Sequence, residues 1–139
     1  MRYKQEEMEE AYAEISQNEN PKGAIFGALI GALPAMLLYF VFALIGGHFI
    51  LLLALPPTVI GIFSRFVGRT YRHKHRLPVG AIGALAHIVG CALLGSSPLL
   101  YLLTPLAFFI SMSVAKIKLK EVHDWAIYQA DLGRLSISK

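Results

Sequence analysis

Chemistry in this chain would have to begin at His87. It falls near the middle of a long uncharged run, on a face of small residues at helical spacing: Gly80, Gly83, Ala84, Cys91 and Gly95. An ionisable ring at that depth is a candidate functional group by default: a proton-responsive base, a haem or metal ligand, or a substrate contact. The other reading, which carries more weight, is a neutral imidazole. It would bond a backbone carbonyl or a hydroxyl on a neighbouring span, such as Thr58, Thr104 or Tyr39.

The remaining reactive side chains are poorly accompanied. Cys91 is the single cysteine, which excludes an internal disulfide or a paired-cysteine redox centre and leaves a small packing residue. His48 is offset from His87 by about half a bilayer, so a bis-histidine haem is not expected. His73 and His75 are two ligands without a third, short of a zinc site. Ser96 and Ser97 have no placed base, so no hydrolase pattern is expected. Between Gly23 and Ser64, and again between Leu77 and Ala115, there is no Asp, Glu, Lys or Arg. A carboxylate proton relay or acidic metal site inside these runs is thereby excluded. The expectation is a chain that is not an enzyme and binds no cofactor, metal or nucleic acid.

The elements that hold these residues follow from the same charge pattern. The chain has 139 residues, 55% of them hydrophobic and 16% charged. The two uncharged runs hold 42 and 39 residues. At about 1.5 Å per helical residue, each is roughly twice the ~30 Å of a bilayer core. Each run is therefore expected to be a helical hairpin. The first would turn at Gly46-Gly47-His48, giving spans near residues 23–45 and 49–66. The second would turn at Gly95-Ser96-Ser97-Pro98, giving spans near 79–94 and 99–115. The last two spans are short enough that the second hairpin could be re-entrant.

The fold class expected is thus an all-α membrane protein with four transmembrane helices. The basic loop at residues 65–78 carries Arg65, Arg69, Arg72, Lys74 and Arg76, while the hairpin turns carry no Lys or Arg. The positive-inside rule then puts that loop and both termini in the cytoplasm, with all thirteen Lys and Arg on one side. A general likeness to small bacterial four-helix proteins suggests the inner membrane. The five basic loop residues are expected to contact anionic phospholipid headgroups or a partner. The first 22 residues hold six Glu against three basic residues, unlike a cleaved signal peptide.

Local signals mark the boundaries. Asn20-Pro21 reads as a helix cap followed by proline at the first helical position, and Leu77-Pro78 is expected to repeat the device. Pro21-Lys22-Gly23-Ala24-Ile25 resembles Pro78-Val79-Gly80-Ala81-Ile82, a hint of duplication set against independent origin in a biased composition. The first span carries Gly23, Gly27, Gly31 and Ala35 at four-residue steps, a face for close helix approach within the chain or with another chain. Gly80, Gly83 and Ala84 form a second small-residue face.

Outside the spans, residues 1–20 place Met8, Tyr12 and Ile15 on one stripe of an acidic amphipathic helix. Residues 116–139 are expected to continue the fourth helix into the cytoplasm, with Trp125 as an apolar contact and Gly133 as a stop. The functional expectation is a small inner-membrane accessory, assembly or structural subunit. It would act through its glycine faces and tails, with other membrane subunits or a second copy as partner. The competing expectation is a small transporter or channel subunit, with Pro34, Pro57 and Pro105 breaking helices around a path near His87.

Overall fold

The structure is a computed structural model that describes residues 3–45, 53–95 and 97–135. It is all-helical, with no strand among the described residues. The helices are α1 (Gln5–Asn18), α2 (Pro21–Ile45), α3 (Leu55–Gly68), α4 (His73–Leu93), α5 (Pro98–Tyr101), α6 (Thr104–Val114) and α7 (Glu121–Asp131). Two of them, α2 and α4, are long and apolar enough to cross a membrane; α3 and the α5–α6 segment are apolar but shorter. The chain divides into two compact units, residues 20–117 and the two tails, 1–19 with 118–139.

In the larger unit, α2 starts where its caps dictate. Asn20 Oδ1 accepts the Gly23 N–H at 2.8 Å, and Pro21 follows at a position that needs no donor. The Asn20 N–H in turn donates to the Gly68 carbonyl at 2.8 Å, joining the start of α2 to the end of α3. Between these ends, the glycine face of α2 lies against α3. A methyl group on Gly27 would stand 2.6 Å from the Phe63 carbonyl oxygen, and one on Gly23 2.9 Å from that of Val67. At Gly31 the obstacle would be Phe63 Cβ, at 2.9 Å. The face that the sequence left open to an internal or an external partner is thus occupied inside the chain.

The α3 end shows a division of labour. Gly68 lies against Ala24 of α2 with no room for a side chain, and the left-handed cap falls instead to Arg69, at φ 47°. That conformation disfavours a residue with a Cβ by about 1–2 kcal/mol. Close approach of the two helices outweighs it.

Across the unit, α4 packs on α2, α3 and α6, and α6 also meets α3. The core is made of small side chains, Ala24, Ala28, Ala35, Ala86 and Ala115, with Ile60 and Val79. The outward faces carry the large ones: Phe26, Leu29, Leu33, Leu37, Phe40 and Leu44 on α2, Phe66 on α3, Leu85 and Val89 on α4, and Leu106 and Phe109 on α6.

Several boundaries differ from the sequence expectation. Helix α4 begins at His73, so Pro78 lies within it rather than at its start, and the resemblance to Pro21 does not extend to its role. Residues 65–78 are accordingly two helix ends around a short connection, not one loop. The expected fourth span is interrupted at Leu102 and Leu103. Pro105 cannot supply the N–H that the Tyr101 carbonyl would accept in a continuous helix, and Thr104 Oγ1 donates to it instead at 2.7 Å. Pro34, by contrast, lies inside an unbroken α2, and Pro57 sits in the first turn of α3. The first turn of the expected topology, at Gly46-Gly47-His48, lies outside the described residues, as does Ser96.

The smaller unit is a helix pair. Met8 and Ala11 of α1 share a core with Ala126 of α7 and Leu135, flanked by Tyr3, Tyr12, Val122 and Ala130. The C-terminal segment does not continue α6, because residues 115–120 are non-helical. Helix α7 ends in a Schellman motif: Gly133, at φ 68°, donates to the Ala130 carbonyl at 2.9 Å, and Arg134 to that of Gln129 at 3.0 Å.

Glycine-to-alanine changes normally stabilise a helix interior by about 0.5–1 kcal/mol. At Gly27 and Gly68 the sign is expected to reverse, with a loss of about 1–3 kcal/mol as α2 and α3 are forced apart. Thermal unfolding of the purified variants in detergent measures this.

Candidate functional site

The polar centre of the larger unit is built around His87, which is 1% exposed. Helix α4 turns it inward with Gly83, Gly90 and Cys91. Tyr39 of α2 reaches it because Gly90 has no side chain; a Cβ there would collide with the Tyr39 ring. The Tyr39 hydroxyl lies 3.0 Å from Nδ1, with the two rings edge-to-face. On the far side, Nε2 is 3.0 Å from the Leu100 carbonyl oxygen of α5 and 3.4 Å from Cys91 Sγ.

These partners fix the tautomer. A carbonyl oxygen only accepts, so Nε2 carries the hydrogen and donates to Leu100. In the neutral ring Nδ1 is then the acceptor of the Tyr39 O–H. Both nitrogens are engaged, and the side chain fastens α2, α4 and α5 together. A haem or metal ligand would need one of these nitrogens released. Among the described residues no group of three or more His, Cys, Asp or Glu is placed to hold a metal.

A second buried polar contact joins the other helices. Ser111 of α6 fills the notch at Gly83 and donates through Oγ to the Pro57 carbonyl of α3 at 3.0 Å. Gly80 similarly admits the Phe108 ring of α6. Ala35 is fully buried, while Ala84 is only half-buried and Gly95 stands exposed beyond the end of α4. Residues 80, 83, 87 and 91 therefore form the working stripe.

The basic residues separate into two kinds. Arg65 is half-buried at the end of α3, and Arg69 and Lys74 are exposed. Arg72, the cap residue of α4, stacks its guanidinium over the Tyr71 ring with 5.3 Å to the centroid. Arg76 departs from the expected headgroup contact, being 2% exposed. One guanidinium nitrogen donates to the Met112 carbonyl at 3.0 Å, and the other approaches His73 Nδ1 at 3.1 Å and the Tyr71 carbonyl at 3.4 Å. Arg76 thus ties the start of α4 to α6. The signal was present: counted from a helix that begins at His73, Arg76 shares the stripe of Gly80, Gly83 and His87.

In the helix pair, Met8 and Ile15 are buried and Tyr12 is half-buried, whereas Trp125 is exposed on α7. His123 was not singled out by sequence reasoning. Its Nδ1 accepts the Lys120 N–H at 3.3 Å at the start of α7, and its Nε2 lies 3.5 Å from Glu14 Oε2. Beside it is an open cleft of about 420 Å³, lined by Glu7, Glu10, Glu14, Lys120 and His123 over Tyr3, Ala11 and Val122.

No protein-family model, curated protein or solved structure matches the chain. The geometry alone bears on its function.

Tyr39→Phe leaves His87 Nδ1 without its donor, at an expected cost of about 1–3 kcal/mol. His87→Ala should cost more, and a double-mutant cycle between the two should show coupling. Nitrogen NMR of ¹⁵N-histidine-labelled protein should find His87 protonated at Nε2 and bare at Nδ1.

Proposed function

We propose that this chain is a multi-pass inner-membrane protein that serves as an accessory, assembly or structural subunit of a larger membrane complex. The observation that carries the membrane reading is the inversion of the larger unit. Its helix contacts are made largely by alanine, glycine and serine, with a few larger residues such as Tyr39, Ile60 and Val79. Most of its leucine and phenylalanine, and much of its isoleucine and valine, lie on the outer surface. A water-soluble bundle would place these the other way round. In lipid, small residues at helix contacts let dispersion forces act at short range, while large apolar side chains are solvated by acyl chains. In this reading α3 and the α5–α6 segment cross alongside α2 and α4, and both termini face the cytoplasm with the basic residues.

The accessory reading rests on what remains available for contact. The glycine faces are taken up within the chain and hold its own helices in place. The tails, in contrast, form a folded pair with an acidic, open cleft. Such a surface suits a basic segment of a neighbouring membrane subunit. The transporter reading has less to support it, because His87 is sealed by three partners and Pro34 and Pro57 do not interrupt α2 or α3.

Gentle purification of tagged protein at native expression should recover a stoichiometric companion, and glutamine at Glu7, Glu10 and Glu14 together should release it. A companion-free homo-oligomer overturns the accessory role. Reporter fusions should place both termini in the cytoplasm. Reconstituted flux that His87→Ala abolishes would favour the transporter instead.

A further inference from the structure

Helix α7 has a second face that its packing on α1 does not use. Trp125, Tyr128 and Leu132 lie at steps of three and four residues, 40%, 57% and 46% exposed. Trp125 and Tyr128 stack edge-to-face with ring centroids 6.2 Å apart. This is a continuous apolar stripe with a polar tip on each ring, on a unit whose core is already filled by Met8, Ala11, Ala126 and Leu135.

We propose that this stripe is seated in the lipid headgroup region of the membrane and holds the tail pair at the bilayer surface. The inference rests on the multi-pass reading above. Three features select lipid as the occupant. Rings that are apolar in body and polar at the tip are suited to the interface, where one end is dry and the other wet. The chain leaves α6 at Val114 and enters α7 at Glu121. Six residues extend at most about 20 Å, so a membrane-embedded α6 keeps the start of α7 close to the bilayer face. The stripe is also bracketed by exposed cations, Lys116, Lys118 and Lys120 before it and Arg134 after it.

Exposed Glu121, Asp124 and Asp131 lie on α7 itself, so four basic groups face three acidic ones. Attachment therefore comes from the aromatic stripe more than from net charge, and it persists on zwitterionic lipid. With the stripe down, α7 acts as an amphipathic surface helix.

Trp125 is the only tryptophan in the chain, so its fluorescence reports the stripe directly. The full chain is reconstituted in zwitterionic phospholipid vesicles with brominated acyl chains, with iodide on both sides in a parallel sample. The expected result is blue-shifted emission that bromine strongly quenches and iodide does not. Water-like emission quenched by iodide alone overturns the proposal. So does blue-shifted emission insensitive to both quenchers, which would mean that protein covers the stripe. A Leu37→Trp, Trp125→Phe variant serves as the reference, since Leu37 is 67% exposed on α2. If bromine quenches the new tryptophan but not Trp125, docking fails and the membrane reading stands. If it quenches neither, the membrane reading itself fails.

Discussion

Backbone contact between α2 and α3 governs the rest of the larger unit. With glycine at 23, 27, 31 and 68, the two helices approach until one backbone touches the other, and every neighbouring position inherits that spacing. Ala24 can sit beneath Gly68 only at this separation. Along this contact bulky side chains have no room between the helices, and most of those on α2 are on the outer face. The inverted distribution of large and small residues is therefore a geometric result of the contact as well as a chemical match to lipid. The same displacement explains why a left-handed backbone is tolerated at Arg69, where glycine would have been the easier choice.

Inside this frame three buried polar side chains act as fasteners. His87 joins three helices through Tyr39 and the Leu100 carbonyl, Ser111 joins α6 to α3, and Arg76 joins α4 to α6. Each of the three spends at least one hydrogen bond on a backbone carbonyl, of Leu100, Pro57 and Met112 respectively, which removes polarity from the interior instead of lining a path with it. Unsatisfied groups of this kind would be costly in a low-dielectric setting. Their pairing is the condition for a stable bundle, independent of any transport role.

Much of this was legible in the sequence, for identifiable reasons. The glycine steps of α2 are visible as a period of four, and Asn20-Pro21 is a cap that depends only on adjacent residues. The partner of the glycine face was not legible, because a periodic stripe says which side is buried and not what covers it. The same limit applied to Met8, whose cover includes Ala126 of α7. Leu77-Pro78 misled because a proline in a first turn and a proline inside a helix have the same local sequence. The start of α4 at His73 carries no side-chain cap to mark it, and with it went the role of Arg76. The interruption before Thr104 was signalled by Pro105, but the uncharged composition on both sides masked it.

The Ser111 hydroxyl and the Pro57 carbonyl are separated by 54 positions along the chain. During synthesis, α2 and α3 can associate as soon as Gly68 has emerged, since all their contacts are internal to that hairpin. The Ser111 bond has to wait for α4 and α6 to arrive, and it forms only if Gly83 is in register to receive the serine. It is thus a late joint that closes on a correctly ordered set of helices and on no earlier intermediate, giving a small helical bundle a defined endpoint to its assembly.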